Sequence, residues 1–303
     1  MRRVLVKSQA MDGRSGRPTL RKSVCPRWRS LGAAIMGDRM RIVLALLLVF
    51  GATSLAHAAM RSETVAYAVD GKAMQGVLVW DDAVKTPRPG LLMIPDWTGI
   101  NATNIDFAKQ IAGHDYVIFM GDMYGKDLRP KNNKEAQAAT RPLYADRPLL
   151  RKRVVAAFNE LKALAAKHAA PIDASRFAAI GFCFGGTSAL DLARAGTDVS
   201  AVVSFHGGLG TDDPALAKNI KARVLAMNGG DDRGTMPDAP DFMKEMQQSP
   251  APWQFVVFGG AVHCFAEPQA HSPPGCVYDP PVAKRAFALM HAWLAEAFAA
   301  KVK

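Results

Sequence analysis

The apolar run Phe177–Ile180 passes directly into Gly181-Phe182-Cys183-Phe184-Gly185-Gly186, and helical spacing resumes from Gly185 to about Ala195. A strand that turns straight into a helix brings the two backbones too close for a Cβ. Glycines two residues either side of a central nucleophile meet that requirement. The turn would hold Cys183 at the top of a sheet and offer the next backbone N–H to an oxyanion, where a helix N-terminus favours negative charge. The same field is expected to favour the Cys183 thiolate. An inert buried cysteine is the competing reading of Cys183 alone, but it leaves the flanking glycines, strand and helix unexplained.

The rest of the chain repeats the strand–helix alternation. Thr64–Val69 and Met74–Trp80 alternate apolar and polar residues around Asp70-Gly71, which predicts an N-terminal β-hairpin at a sheet edge. Gly90–Ile94, Tyr116–Met120, Val199–Phe205, Arg223–Met227 and Trp253–Phe258 are further strands, several continuously apolar as in a sheet buried on both faces. Helical spacing marks Asn101–Gly113, Leu149–Ala166 and a closing segment opened by Pro281, while Gly125 to about Asn133 is polar. The pattern implies an α/β fold with a mostly parallel central sheet and helices on both faces. Ligands of such sheets bind beyond the carboxyl ends of the strands.

The net charge of +11 suggests a nucleic-acid or membrane-surface partner only until it is located. Residues 1–58 hold eleven Lys/Arg against Asp12 and Asp38, leaving +2 for residues 59–303, so no nucleic-acid partner is expected. Arg39 and Arg41 precede an apolar run from Ile42, and Ala56-His57-Ala58 follows it, which is the order of a cleavable signal peptide. Even stretched to Leu55, the run is shorter than the ~20 residues a membrane span needs. We expect residues 1–58 to be an extension plus signal, membrane contact to be confined to export, and 59–303 to be a single periplasmic or secreted domain. Cys25 would leave with the signal. Cys264 and Cys276 flank Phe265–Gly275 and are the natural disulfide pair in an oxidising compartment, two separate thiols being the alternative.

A triad needs an acid and then a histidine after the nucleophile. Asn228-Gly229-Gly230-Asp231-Asp232 follows the strand Arg223–Met227, and only one of the adjacent aspartates can face the site. Asp232 is preferred and Asp231 is the alternative. His263 follows Trp253–Phe258. Its competitors are less well placed: His206 precedes the acid, His271 sits in a Pro-rich loop and His291 lies on the last helix. An imidazole reaching Cys183 could hold the thiolate and protonate a leaving group, with a carboxylate fixing its tautomer. No second His/Cys pair has metal-ligand spacing, and no nucleotide-binding motif is present, so no metal or cofactor is expected.

Five segments in order now resemble the dienelactone hydrolase family of the α/β-hydrolase fold, over essentially all of residues 60–300. They are Pro95-Asp96-Trp97-Thr98-Gly99-Ile100-Asn101, Gly121-Asp122-Met123-Tyr124-Gly125, the Cys183 turn, Gly229-Gly230-Asp231-Asp232 and Gly259-Gly260-Ala261-Val262-His263-Cys264-Phe265. The resemblance implies a Cys183–His263–Asp232 triad, an oxyanion hole from the N–H groups of Trp97 and Phe184, and small ester, lactone or thioester substrates. It also implies that Asp96 stands where relatives carry a glutamate that holds the resting thiol. Where the name-giving enzymes carry substrate-binding arginines, this chain has Lys126 and Glu267. Glu267 would repel a substrate carboxylate, with Lys126 or Arg129 as possible compensation. The expected function is hydrolysis through a thioacyl enzyme. Acyl transfer to another acceptor and a non-catalytic binding protein on the same fold are the alternatives.

Overall fold

The computed structural model describes residues 60–300; the expected export signal lies outside the described residues. Met60–Val69 (β1) and Lys72–Asp81 (β2) pair antiparallel around Asp70-Gly71, both of which take positive φ (49° and 77°). Asp and Gly tolerate that left-handed pair, whose twist suits a two-residue hairpin. Arg88–Ile94 (β3), Val117–Met120 (β4), Ile172–Phe182 (β5), Ala201–Phe205 (β6), Arg223–Gly229 (β7) and Trp253–Phe258 (β8) complete an eight-stranded sheet of order β1-β2-β4-β3-β5-β6-β7-β8. Strands β4 to β8 pair parallel, and β2 runs against its neighbours. This is the α/β-hydrolase fold, with the expected hairpin at its edge.

Alternate strand residues feed two cores. Leu91 and Met93 pack with Phe107 and Ile111 of Ala102–Ala112 (α1), whereas Leu92 and Ile94 face the other side of the sheet. That second face is covered by Asn133–Ala145 (α2), Arg147–Ala166 (α3), Phe184–Arg194 (α4) and Ala239–Met246 (α5). The closing helix, Pro280–Ala300 (α6), lays Met290, Trp293 and Leu294 on the α1 side. Because both faces are covered, β3, β4 and β6 are buried throughout, which explains their unbroken apolar runs.

The structure departs from expectation at three places. Strand β5 begins at Ile172 because Asp173 still pairs with Pro89, across a register shift at Pro89/Gly90 that hides the pairing behind polar residues. Helix α2 occupies a stretch not read as helical. Asn132 caps it by accepting from Glu135 N (3.0 Å), and Glu135 reaches back to Lys131 N (2.9 Å). Helix α5, only eight residues long, was too short to leave a periodic signal.

Candidate active site

Five loops at the carboxyl ends of β3, β5, β6, β7 and β8 converge. In the loop after β5, Cys183 takes φ 53° and ψ −116°, between the end of that strand and the start of α4. A non-glycine residue is held there only when its surroundings insist. They do so through close packing: a Cβ on Gly185 would collide with the carbonyl oxygen of Ile94, and one on Gly181 with the carbonyl of Gly185. Cys183 N donates to Phe205 O (3.0 Å) and to His206 Nδ1 (3.2 Å), so β6 fixes the turn from the side. Cys183 is half-buried and is the free cysteine of the described residues.

His263 Nδ1–H donates to Asp232 Oδ2 at 2.6 Å, and the same ring is hydrogen-bonded to the Cys183 side chain. Burial of the ring opposes its charge, but the bonds to Asp232 and Cys183 and their negative charge prevail, and His263 is pushed up to about 10. Asp232 is buried, which by itself would raise its carboxyl. The donors His263, Thr235 Oγ1 (2.7 Å) and Gly234 N (2.9 Å) outweigh that and hold it below the usual carboxylate range. Asp231 is exposed, its N–H bound to Ala261 O (2.9 Å). Of the two aspartates, the structure turns Asp232 towards the histidine.

Trp97 and Phe184 lie on the two segments that the Gly185 contact holds together. Phe184 opens α4, so its N–H has no intrahelical acceptor, and the N–H of neither residue is bound among the described residues. Asp96 Oδ1 accepts from Thr98 N (2.9 Å), Thr98 Oγ1 (2.5 Å) and Asn104 Nδ2 (3.0 Å), which shapes the Trp97 loop. Tyr124 Oη steadies it further by donating to Trp97 O (2.9 Å).

An open cleft of about 1570 Å³ reaches Cys183, Asp232 and His263, walled by Tyr144, Arg233 and the Pro274-Gly275-Cys276 segment among others. Two expected substrate contacts are corrected. Lys126 is exposed outside this lining and pairs with Asp127 (2.6 Å). Glu267 is only 4% exposed, because the chain after His263 turns inward and Glu267 N closes on Cys264 O (3.0 Å). Burial, with Asp96 and Cys183 nearby, pushes its carboxyl well above the usual range, and the residue does not line the cleft where a substrate carboxylate would lie. Arg129 is likewise spent on Asp122 (3.3 Å) and on Gly125 O (2.8 Å). The cations that do line the cleft are Arg147, bound to Asp191, and Arg233.

The sequence reading missed two groups. Thr235 links Asp232 to Asn228, which donates to Thr235 Oγ1 (2.8 Å), and His206 was set aside by chain order yet braces the Cys183 turn. Neither leaves a sequence signal beyond its place after a strand. Cys264 and Cys276 form a disulfide with Cα atoms 5.0 Å apart. Val277 N donates to His263 O (3.0 Å), so the bond and this contact tie the cleft wall to the histidine backbone.

A sequence profile described as the dienelactone hydrolase family matches residues 74–298. A Bradyrhizobium protein described as "Probable 2-oxo-3-(5-oxofuran-2-ylidene)propanoate lactonase" is 31% identical over 193 residues, covering 59% of this chain and 74% of that protein. Among solved structures, one titled m3DLH is 33% identical, covers 79% of this chain and 99% of its own, and has a TM-score of 0.72. A dienelactone hydrolase-like promiscuous phosphotriesterase from metagenomic libraries is 32% identical, covers 78% of this chain and 98% of its own, and has a TM-score of 0.69.

Proposed function

Since the chain belongs to the dienelactone hydrolase family of carboxylic ester hydrolases, we propose that it cleaves esters, lactones or thioesters through a Cys183 thioacyl enzyme. One observation carries the reading: His263 is bonded at once to Asp232 (2.6 Å) and to the Cys183 side chain at a strained strand–helix turn.

In the first half-reaction Cys183 Sγ attacks the carbonyl carbon, and the N–H groups of Trp97 and Phe184 take up the charge that develops on oxygen. The C–O or C–S bond to the leaving group then breaks, and His263 passes the proton on its ring nitrogen remote from Asp232 to the departing atom. In the second, water attacks the thioacyl carbon, gives its proton to His263, and Cys183 Sγ departs. Asp232 keeps the ring oriented and steadies its positive form in both.

The order of charges, apolar run and Ala56-His57-Ala58 supports export to a periplasm or the medium, and so does the Cys264–Cys276 disulfide, a bond that persists in oxidising compartments. The 32% identical phosphotriesterase favours a second substrate class, neutral phosphotriesters, for which the same thiol would attack phosphorus and expel an aryloxide.

The test is a panel of p-nitrophenyl esters, thioesters, unsaturated lactones and paraoxon against wild type and Cys183→Ala. Turnover of at least one ester class by wild type alone is expected. Binding without any acylation would favour the non-catalytic reading, and product that appears only with an added alcohol or thiol acceptor would favour acyl transfer.

A further inference from the structure

Behind the cleft lies a buried group of polar side chains that the reaction above does not use. Glu267 Oε2 accepts from Gln269 Nε2 (3.3 Å), but Oε1 has no hydrogen-bond partner among the described residues and stands 3.5 Å from His206 Nε2. His206 is wholly buried and strained, at φ 40°. Its Nδ1 accepts the Cys183 N–H, so its own proton sits on Nε2, which is likewise without another partner and is turned towards Glu267. On its other side the Glu267 carboxyl faces the side chain of Asp96, closely enough for the two acids to act on each other. Two carboxyl groups can bond to each other only through a proton that one of them carries. Asp96 Oδ1 already accepts three donors, as a carboxylate does, whereas Glu267 has one weak donor in Gln269 and the His206 Nε2–H at 3.5 Å.

We propose that Glu267 is a neutral carboxylic acid that donates its proton to Asp96, and that this acid pair is a positioning device limiting the region behind Cys183 to one negative charge. The proposal rests on Cys183 being the nucleophile. The groups facing the pair are Asp96 and Tyr124 from the loops after β3 and β4, Cys183 from the turn, His206 from the end of β6, and His263 and Gln269 from the segment after β8. With the proton in place, the Trp97 loop is tied to the segment that follows His263. Without it, two carboxylates would face each other in a buried pocket beside the sulfur that must carry charge, and both the loop and the attacking anion would be disfavoured. Burial and the neighbouring negative groups act in the direction that keeps Glu267 protonated at neutral pH.

Infrared spectroscopy of the full chain reads the proton directly. At neutral pH wild type should show the carbonyl stretch of a protonated carboxyl group, absent from Glu267→Gln, and in wild type alone the band should vanish as pH is raised. The functional half is read from the alkaline limb of kcat/KM for a p-nitrophenyl ester. In Glu267→Gln, which keeps a neutral donor and has no proton to lose, that limb should move to higher pH by at least about one unit. The rate of Cys183 alkylation by iodoacetamide, followed on its peptide, should shift in the same way. Alkylation needs no turnover, so it tests the acid pair even if the chain proves to hydrolyse none of the esters. A neutral-pH spectrum without a carboxyl band that Glu267→Gln removes, or pH profiles of the two proteins that superimpose, would overturn the proposal.

Discussion

At Cys183 the backbone is held at φ 53° by glycines that cannot be replaced without collision, so the position of Sγ is set by packing, independent of substrate. The proton side is equally constrained, with His263, Asp232, Thr235 and Asn228 forming a continuous chain of hydrogen bonds. His263→Ala and Asp232→Asn are each expected to lower kcat by at least ~10³, without further loss when combined, because the residues act as a unit. Asp231→Asn should stay near wild type; the reverse ranking of the two aspartates would refute the assignment. Thr235→Val removes a donor to a charged oxygen, a loss of about 1.5–3 kcal/mol. It should reduce kcat/KM roughly tenfold, measured on the best ester of the panel. The histidine also links stability to pH. Its folded value, near 10, lies above the ordinary 6.5, so its contribution is whole below about pH 6.5 and is lost as pH rises through about 10. Urea denaturation from pH 6 to 10 should therefore show a smaller decline for His263→Gln than for wild type, and equal declines would contradict the pairing. These residues were legible because each stands directly after an apolar strand in a fixed order. Glu267 was misread because sequence gives its place after His263 but not the inward turn that buries it.

The elements that shape the cleft are held by ion pairs rather than by apolar packing alone. Arg194 of α4, fully buried, is bound by both oxygens of Glu245 on α5 (2.8 and 2.7 Å) and by Asp191 (3.0 Å). Arg147 of α3 forks onto the other side of Asp191 (3.0 and 2.7 Å), and Arg194 Nη2 donates to Leu209 O (2.8 Å). Three helices and the segment after β6 are thereby joined at the cleft wall. Glu245→Ala leaves the buried Arg194 only Asp191, which Arg147 already shares, and should destabilise the protein by about 3–5 kcal/mol in chemical denaturation. A change under about 1 kcal/mol would mean that Asp191 and the Leu209 carbonyl suffice. None of this was visible in the sequence, since Arg194, Glu245 and Asp191 are ordinary charged residues on helices whose mutual approach depends on the fold. Helix α2 was missed for a related reason: its capping pair Asn132 and Glu135 was present, but its apolar residues are too few to show a period.

For the molecule as a whole, the alternation of apolar strands and helices was enough to specify the architecture, because a parallel sheet covered on both faces leaves few ways to connect its strands. Thiol titration of the denatured, unreduced protein beginning at residue 59 should find one free thiol, Cys183, and three would exclude the Cys264–Cys276 bond. Breaking that bond should lower stability by roughly 3 kcal/mol and loosen the backbone next to His263, so activity should fall together with stability. The central claim, that strand ends of one sheet assemble a cysteine nucleophile with its histidine and acid, has a direct test. Wild type is mixed with a p-nitrophenyl ester, quenched within the first turnover and weighed by mass spectrometry. The account predicts one acyl group per chain, located on the Cys183 peptide, with a matching burst of p-nitrophenol, and neither in Cys183→Ala. Undiminished turnover by Cys183→Ala, or an acyl group carried on any other residue, would contradict it.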